Sequence, residues 1–158
     1  MIPVRKIALA FLLIPVCFFS CRDEGRIIDE NVRIAKNTWS YVDRPKFEVN
    51  ITDASVPYNL YLNIRHTPYY AYSNLFTVIR QINPDGKSHK TRFEFKLAYP
   101  DGQWTGQGSG NLYSHQIAFR ERYTFPKAGK YVFEIEQNMR DNPLREITDA
   151  GLRVEKAQ

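Results

Sequence analysis

The chain has 158 residues, with 22 lysines and arginines against 17 aspartates and glutamates. Its raw charge of +5 overstates its basicity, because Arg5 and Lys6 lie in a leader expected to be removed, leaving 20 basic against 17 acidic residues, about +3. The signs alternate, as in Arg120-Glu121-Arg122, so the sequence offers no basic stripe for nucleic acid.

Arg5 and Lys6 precede an apolar run over residues 7–19, broken only by Pro15 and closed by Ser20 and Cys21. That order is a secretory signal. The run is shorter than the roughly 20 apolar residues of a bilayer span, and Arg22, Asp23 and Glu24 follow without a basic stop-transfer cluster. A small residue directly before a cysteine marks a lipoprotein signal, since that thiol accepts the lipid before cleavage. The expected division is therefore a signal peptide over residues 1–20 and a lipidated Cys21 that ties the protein to a membrane. Cys17 leaves with the signal, so the remaining 138 residues cannot form an internal disulfide. An exported domain of this kind must hold together by burial, and the length suits one domain.

Residues 21–37 are mostly polar and read as the lipidated N-terminus and a tether. Ile27-Ile28 and Val32 with Ile34 leave room for an early strand. From Trp39 onward, period-two alternation dominates. Phe47, Val49 and Ile51 alternate with Lys46, Glu48 and Asn50. Tyr58, Leu60, Leu62 and Ile64 share one face, and Asn59, Tyr61, Asn63 and Arg65 the other. Residues 74–82 form an apolar run that ends in Asn83-Pro84-Asp85-Gly86, a turn that predicts a hairpin returning toward Phe93. Phe93, Phe95 and Leu97 alternate, as do Tyr131, Phe133 and Ile135, with turns at Pro100-Asp101-Gly102, in residues 106–110 and in residues 126–129. About eight short strands with one wet face each predict an all-β fold: an antiparallel β-sandwich, jelly-roll or immunoglobulin-like, forming a single domain over residues 38–158.

The chemistry-bearing residues are sparse. His66, His89 and His115 lie on separate predicted elements without metal-ligand spacing, so structural roles are expected and no metal or cofactor is. Gly86-Lys87-Ser88 lacks the upstream glycine of a phosphate-binding loop, and the serine of Gly106-Gln107-Gly108-Ser109-Gly110 is misplaced for a nucleophile elbow. Asp43, Asp53, Asp101 and Asp149 are the loop carboxylates that could pair for acid–base work, but nothing in the sequence pairs them. A non-catalytic protein is the expectation. Aromatic residues outside the strands carry more information: Tyr69, Tyr70 and Tyr72 follow His66 and Pro68, and Trp104 sits among turn residues. These four are candidate contacts for a partner protein or a glycan, because flat rings give contact area at low entropic cost. The alternative is that they fold back as lids on the core, the favoured reading for Trp104.

The ordered landmarks together resemble the GldH family of gliding-motility lipoproteins from Bacteroidetes. The likeness is carried by Trp39 with Asp43-Arg44-Pro45 and Phe47; by Tyr58 through His66, leading to Tyr70 and Asn74-Leu75; by Gly102-Gln103-Trp104-Thr105-Gly106; by Gly129-Lys130-Tyr131 with Gln137-Asn138-Met139-Arg140; and by Asp149, Gly151-Leu152 and Val154. The resemblance implies a lipid-anchored accessory or scaffold protein of the outer membrane, with envelope partners in the gliding apparatus and the linked type IX secretion system, and no catalytic residue set. Arg22-Asp23-Glu24 is similar to the export tag of surface lipoproteins in that group, which leaves the periplasmic and surface faces both open. The second reading is a glycan-binding sandwich module displayed on the envelope.

Overall fold

Alternating strands with one apolar face must pair that face with another sheet, and two sheets do so here. The computed structural model describes residues 25–158; the signal peptide and Cys21 lie outside the described residues. The strands are β1 (Arg26–Arg33), β2 (Thr38–Trp39), β3 (Lys46–Ile51), β4 (Tyr58–His66), β5 (Asn74–Ile82), β6 (Ser88–Lys96), β7 (Gln107–Ser109), β8 (Leu112–Tyr123), β9 (Gly129–Gln137), β10 (Leu144–Arg145) and β11 (Ile147–Lys156). One sheet has the order β1-β11-β4-β8-β7 and the other β3-β9-β5-β6, every pair antiparallel; β2 and β10 form a small third ladder. The expected antiparallel β-sandwich is what forms.

The alternation read from the sequence is the alternation of burial. Leu60, Leu62 and Ile64 of β4 face Phe47, Val49 and Ile51 of β3 and Tyr131, Phe133 and Ile135 of β9 across a core from which water is excluded. Trp39 is fully buried, and its indole N–H donates to the Asp43 carbonyl at 2.7 Å, closing the loop between β2 and β3. The hairpin of β5 and β6 turns at Asn83 to Gly86, where Gly86 takes φ +80°, a conformation L side chains resist. The apolar run of β5 serves two faces. Leu75 and Ile79 point into the core, while Phe76 lies outward beneath the Arg92 guanidinium, 3.9 Å above its ring.

Two segments differ from expectation. The tether read over residues 21–37 carries β1, which pairs with β11 from Arg26 opposite Glu155 to Arg33 opposite Asp149. Its polar side chains hide the strand in the sequence, because an edge strand needs ladder hydrogen bonds more than apolar residues. The glycine-rich stretch read as a turn contains a short strand, β7, before the chain reverses through Gly110 at φ +62° into β8.

Strand direction defines two poles. Gly25 accepts from Lys156 N–H at one of them, close to the 83–87 turn and to a plug in which Phe125 packs edge-on to Tyr58 at 5.4 Å. β1 then runs to the opposite pole, built from residues 40–45, 67–73, 97–106 and 138–146. Truncating Trp39 to alanine is expected to cost about 3–5 kcal/mol of stability, whereas Tyr69→Ala at the far pole should change it by less than about 0.5 kcal/mol. Urea unfolding of the two variants checks the contrast.

Candidate binding surfaces at the far pole and on the sheet face

The four aromatic residues singled out in the sequence reach the same pole but not the same surface. Tyr70 is only 4% exposed, and its hydroxyl donates to the Asn74 carbonyl at 2.9 Å, so it is a core residue rather than a contact. Burial pushes its pKa far up. Trp104 packs edge-on against His66 at 4.4 Å and tilted against Tyr113 at 5.8 Å, closing the end of the core as a lid. Tyr72 stands edge-on to Tyr70 at 5.7 Å and donates its hydroxyl to Asp141, a bond that raises the phenol's pKa. Tyr69, 83% exposed, is the one fully presented ring of the four.

Tyr69 and Tyr72 line a cleft of about 640 Å³ with Arg140, Pro143, Arg145 and Glu146. Its walls are fastened by Thr67 Oγ1, which donates to Glu146 Oε2 at 2.5 Å, and by Tyr41 N–H, which donates to Asn142 Oδ1 at 2.9 Å. The second bond draws Tyr41 and Val42, 48% and 67% exposed, beside the cleft. The large apolar side chains exposed among the described residues are Val32, Tyr41, Val42, Tyr69 and Tyr99. Four of them sit in far-pole loops, and Val32 is one residue from the far-pole end of β1.

Beneath the lid the fold joins two histidines that the sequence leaves apart. β4 and β8 bring His66 Nε2 to 2.9 Å from His115 Nε2, both rings being buried. His66 Nδ1 lies 2.7 Å from the Thr67 carbonyl, which can only accept. The proton is therefore on Nδ1, His66 Nε2 accepts, and His115 Nε2 donates. Burial lowers both pKa values, and repulsion from His66 adds to the effect at His115, which falls to about 4. The pair is a structural polar bridge between strands. The carboxylates are dispersed: Asp53 accepts from Ser55 and Asp101 from Gln103 N–H in local turns, while Asp149 lies in β11.

A second concavity, of about 710 Å³, lies on the outer face of the five-stranded sheet, lined among others by Asp29, Asn31, Asn63, Arg65 and Gln116. The sequence marked Asn63 and Arg65 as a wet face. That Asn31 and Gln116 join them depends on strand order, which a single sequence does not reveal.

The fold is thus that of a small all-β sandwich domain with two side-chain-lined concavities among the described residues. The family model described as GldH lipoprotein matches residues 26–154. The chain is 34% identical over 154 residues to the gliding motility lipoprotein GldH homolog of Christiangramia forsetii, and 30% identical over 152 residues to the gliding motility lipoprotein GldH of Flavobacterium johnsoniae. The first alignment covers 93% of this chain and 93% of the relative, the second 92% and 93%. The chain belongs to the GldH lipoprotein family, and with it to exported, membrane-anchored proteins.

The histidine pair makes a pH prediction. It is neutral in the fold but titrates near 6.5 when unfolded, so its contribution to stability is full above about pH 6.5 and is lost as pH falls toward about 4. Urea midpoints measured between these limits should fall steadily, and His115→Gln should flatten that part of the profile.

Proposed function

We propose that this protein is a non-catalytic accessory subunit of the outer membrane, anchored through lipid on Cys21, that docks an envelope protein of the gliding machinery and the linked type IX secretion system. The observation that carries the reading is the separation of anchor and apolar surface. Gly25, four residues from Cys21, lies at one pole, and Tyr41, Val42, Tyr69 and Tyr99 are exposed at the other. Four residues of extended chain reach about 14 Å at most, so the lipid holds the near pole at the bilayer and turns the far pole toward other proteins. Exposed apolar side chains gathered at one end of a domain, rather than scattered singly, mark an interaction surface. The names of the relatives point to gliding motility; the secretion link, the outer membrane and the role as a docking subunit belong to the proposal.

Two measurements test the reading. Cys21→Ala should move the protein from the membrane pellet to the soluble fraction. Crosslinking in cells followed by affinity purification should recover envelope proteins with the wild type, and at least about tenfold less with Val42→Glu combined with Tyr69→Ala, a loss expected from truncating a central aromatic anchor. Equal recovery from the double variant, with the fold intact by circular dichroism, would contradict the docking role of this pole.

A further inference from the structure

The groove on the sheet face is built as a binding site in its own right. Strand register sets Asn31, Gly151, Asn63 and Gln116 in one row across β1, β11, β4 and β8. The next row holds Arg33, Asp149, Arg65, Ser114 and Gln107. Gly151 is required by close approach: a Cβ there would overlap Asn31 Oδ1 and the Glu30 carbonyl. The Asn31 side chain therefore lies against the Gly151 backbone, in line with the amides of Asn63 and Gln116.

The amides are held in place. Gln116 Nε2 donates to Asn63 Oδ1 at 3.0 Å, Asn63 Nδ2 donates to Asp29 Oδ1 at 2.8 Å, and Arg153 Nη1 pairs with Asp29 Oδ2 at 3.1 Å. Arg153 also pairs with Glu155 Oε2, so its guanidinium is shared and offsets the Asp29 charge only in part. Asn31, Arg65 and Lys96, which also line the groove, have no side-chain partner among the described residues. Fixed amides with spare donors and acceptors and two cations without a side-chain partner are poised for a ligand that is polar and anionic.

We propose that this groove binds an acidic oligosaccharide, its hydroxyls held by Asn31 and Gln116 and its carboxylates by Arg65 and Lys96. A peptide fits less well. β4 and β11 are paired on both edges, so the floor offers no strand edge to extend, and the row of amides offers no apolar pockets for alternate side chains. From β1 to β7 the sheet is about 19 Å across, room for several sugar units laid across the strands. The site is independent of the far-pole cleft, and either could fail without the other.

The test uses the mature lipidated protein in detergent, titrated by calorimetry with oligogalacturonate, with the same oligomer fully methyl-esterified, and with an oligoglutamate peptide. Oligogalacturonate should bind, with an affinity that falls as salt is raised. The methyl ester should bind at least about tenfold more weakly, as should oligogalacturonate to Arg65→Gln combined with Lys96→Gln, the scale of losing charged hydrogen bonds. Asn31→Ala, an exposed substitution, should also weaken binding, and Tyr69→Ala should not. Absence of oligogalacturonate binding, equal affinity for the ester, equal affinity for oligoglutamate, or binding indifferent to the Arg65 and Lys96 substitutions would each overturn the proposal.

Discussion

The pairing of β1 with β11 is the constraint on which the rest depends. It covers the edge of β11 along Arg26 to Arg33, in a register that runs from Arg26 opposite Glu155 to Arg33 opposite Asp149. Because the strand enters at Gly25 and leaves at Ile34, it assigns the chain's start to one pole and its aromatic loops to the other. It also supplies Asp29 and Asn31 to the sheet face, so the same ladder orients the domain and builds one wall of the groove. A loose tether in its place would remove both consequences.

Inside the sandwich, polar groups are admitted where strands can pair them. The His66–His115 bridge sits under Trp104 and Tyr70, and dispersion contacts to those rings accompany a hydrogen bond whose loss would leave a bare buried acceptor. At the other pole, Tyr58 and Tyr131 bury their rings around Phe125 and send their hydroxyls to the carbonyls of Asp53 and Lys127. Both ends of the core are thus closed by aromatics, with the hydroxyls of Tyr58, Tyr70 and Tyr131 hydrogen-bonded to carbonyls. Tyr69, whose ring reaches beyond this closure, remains in solvent.

The strands whose faces differ sharply in polarity were legible in the sequence: β3, β4, β9 and the β5–β6 hairpin follow from alternation and one turn. β11 was not: no alternation marks it, and its Asp149 reads as a loop carboxylate. Yet it lies inside the sheet, where pairing on both edges and the need for small residues beside Asn31 outweigh local propensity. The candidate contacts divided for a related reason. Tyr69 and Tyr70 are neighbours in sequence, but one ring points into the core and the other away from it, and sequence spacing in a loop has no fixed period to separate them. The sheet-face groove was half visible, as the polar side of β4, and its other members came only with strand order.

The central claim is that the anchor and the aromatic pole lie at opposite ends of the domain. Energy transfer on liposomes tests it most directly, with a donor dye on Lys87→Cys or Tyr69→Cys and an acceptor on the lipid headgroups; β4 alone spans about 30 Å between the poles. Strong transfer from position 87 and weak transfer from position 69 is the expected result. Equal transfer from the two, or stronger transfer from position 69, would contradict the account.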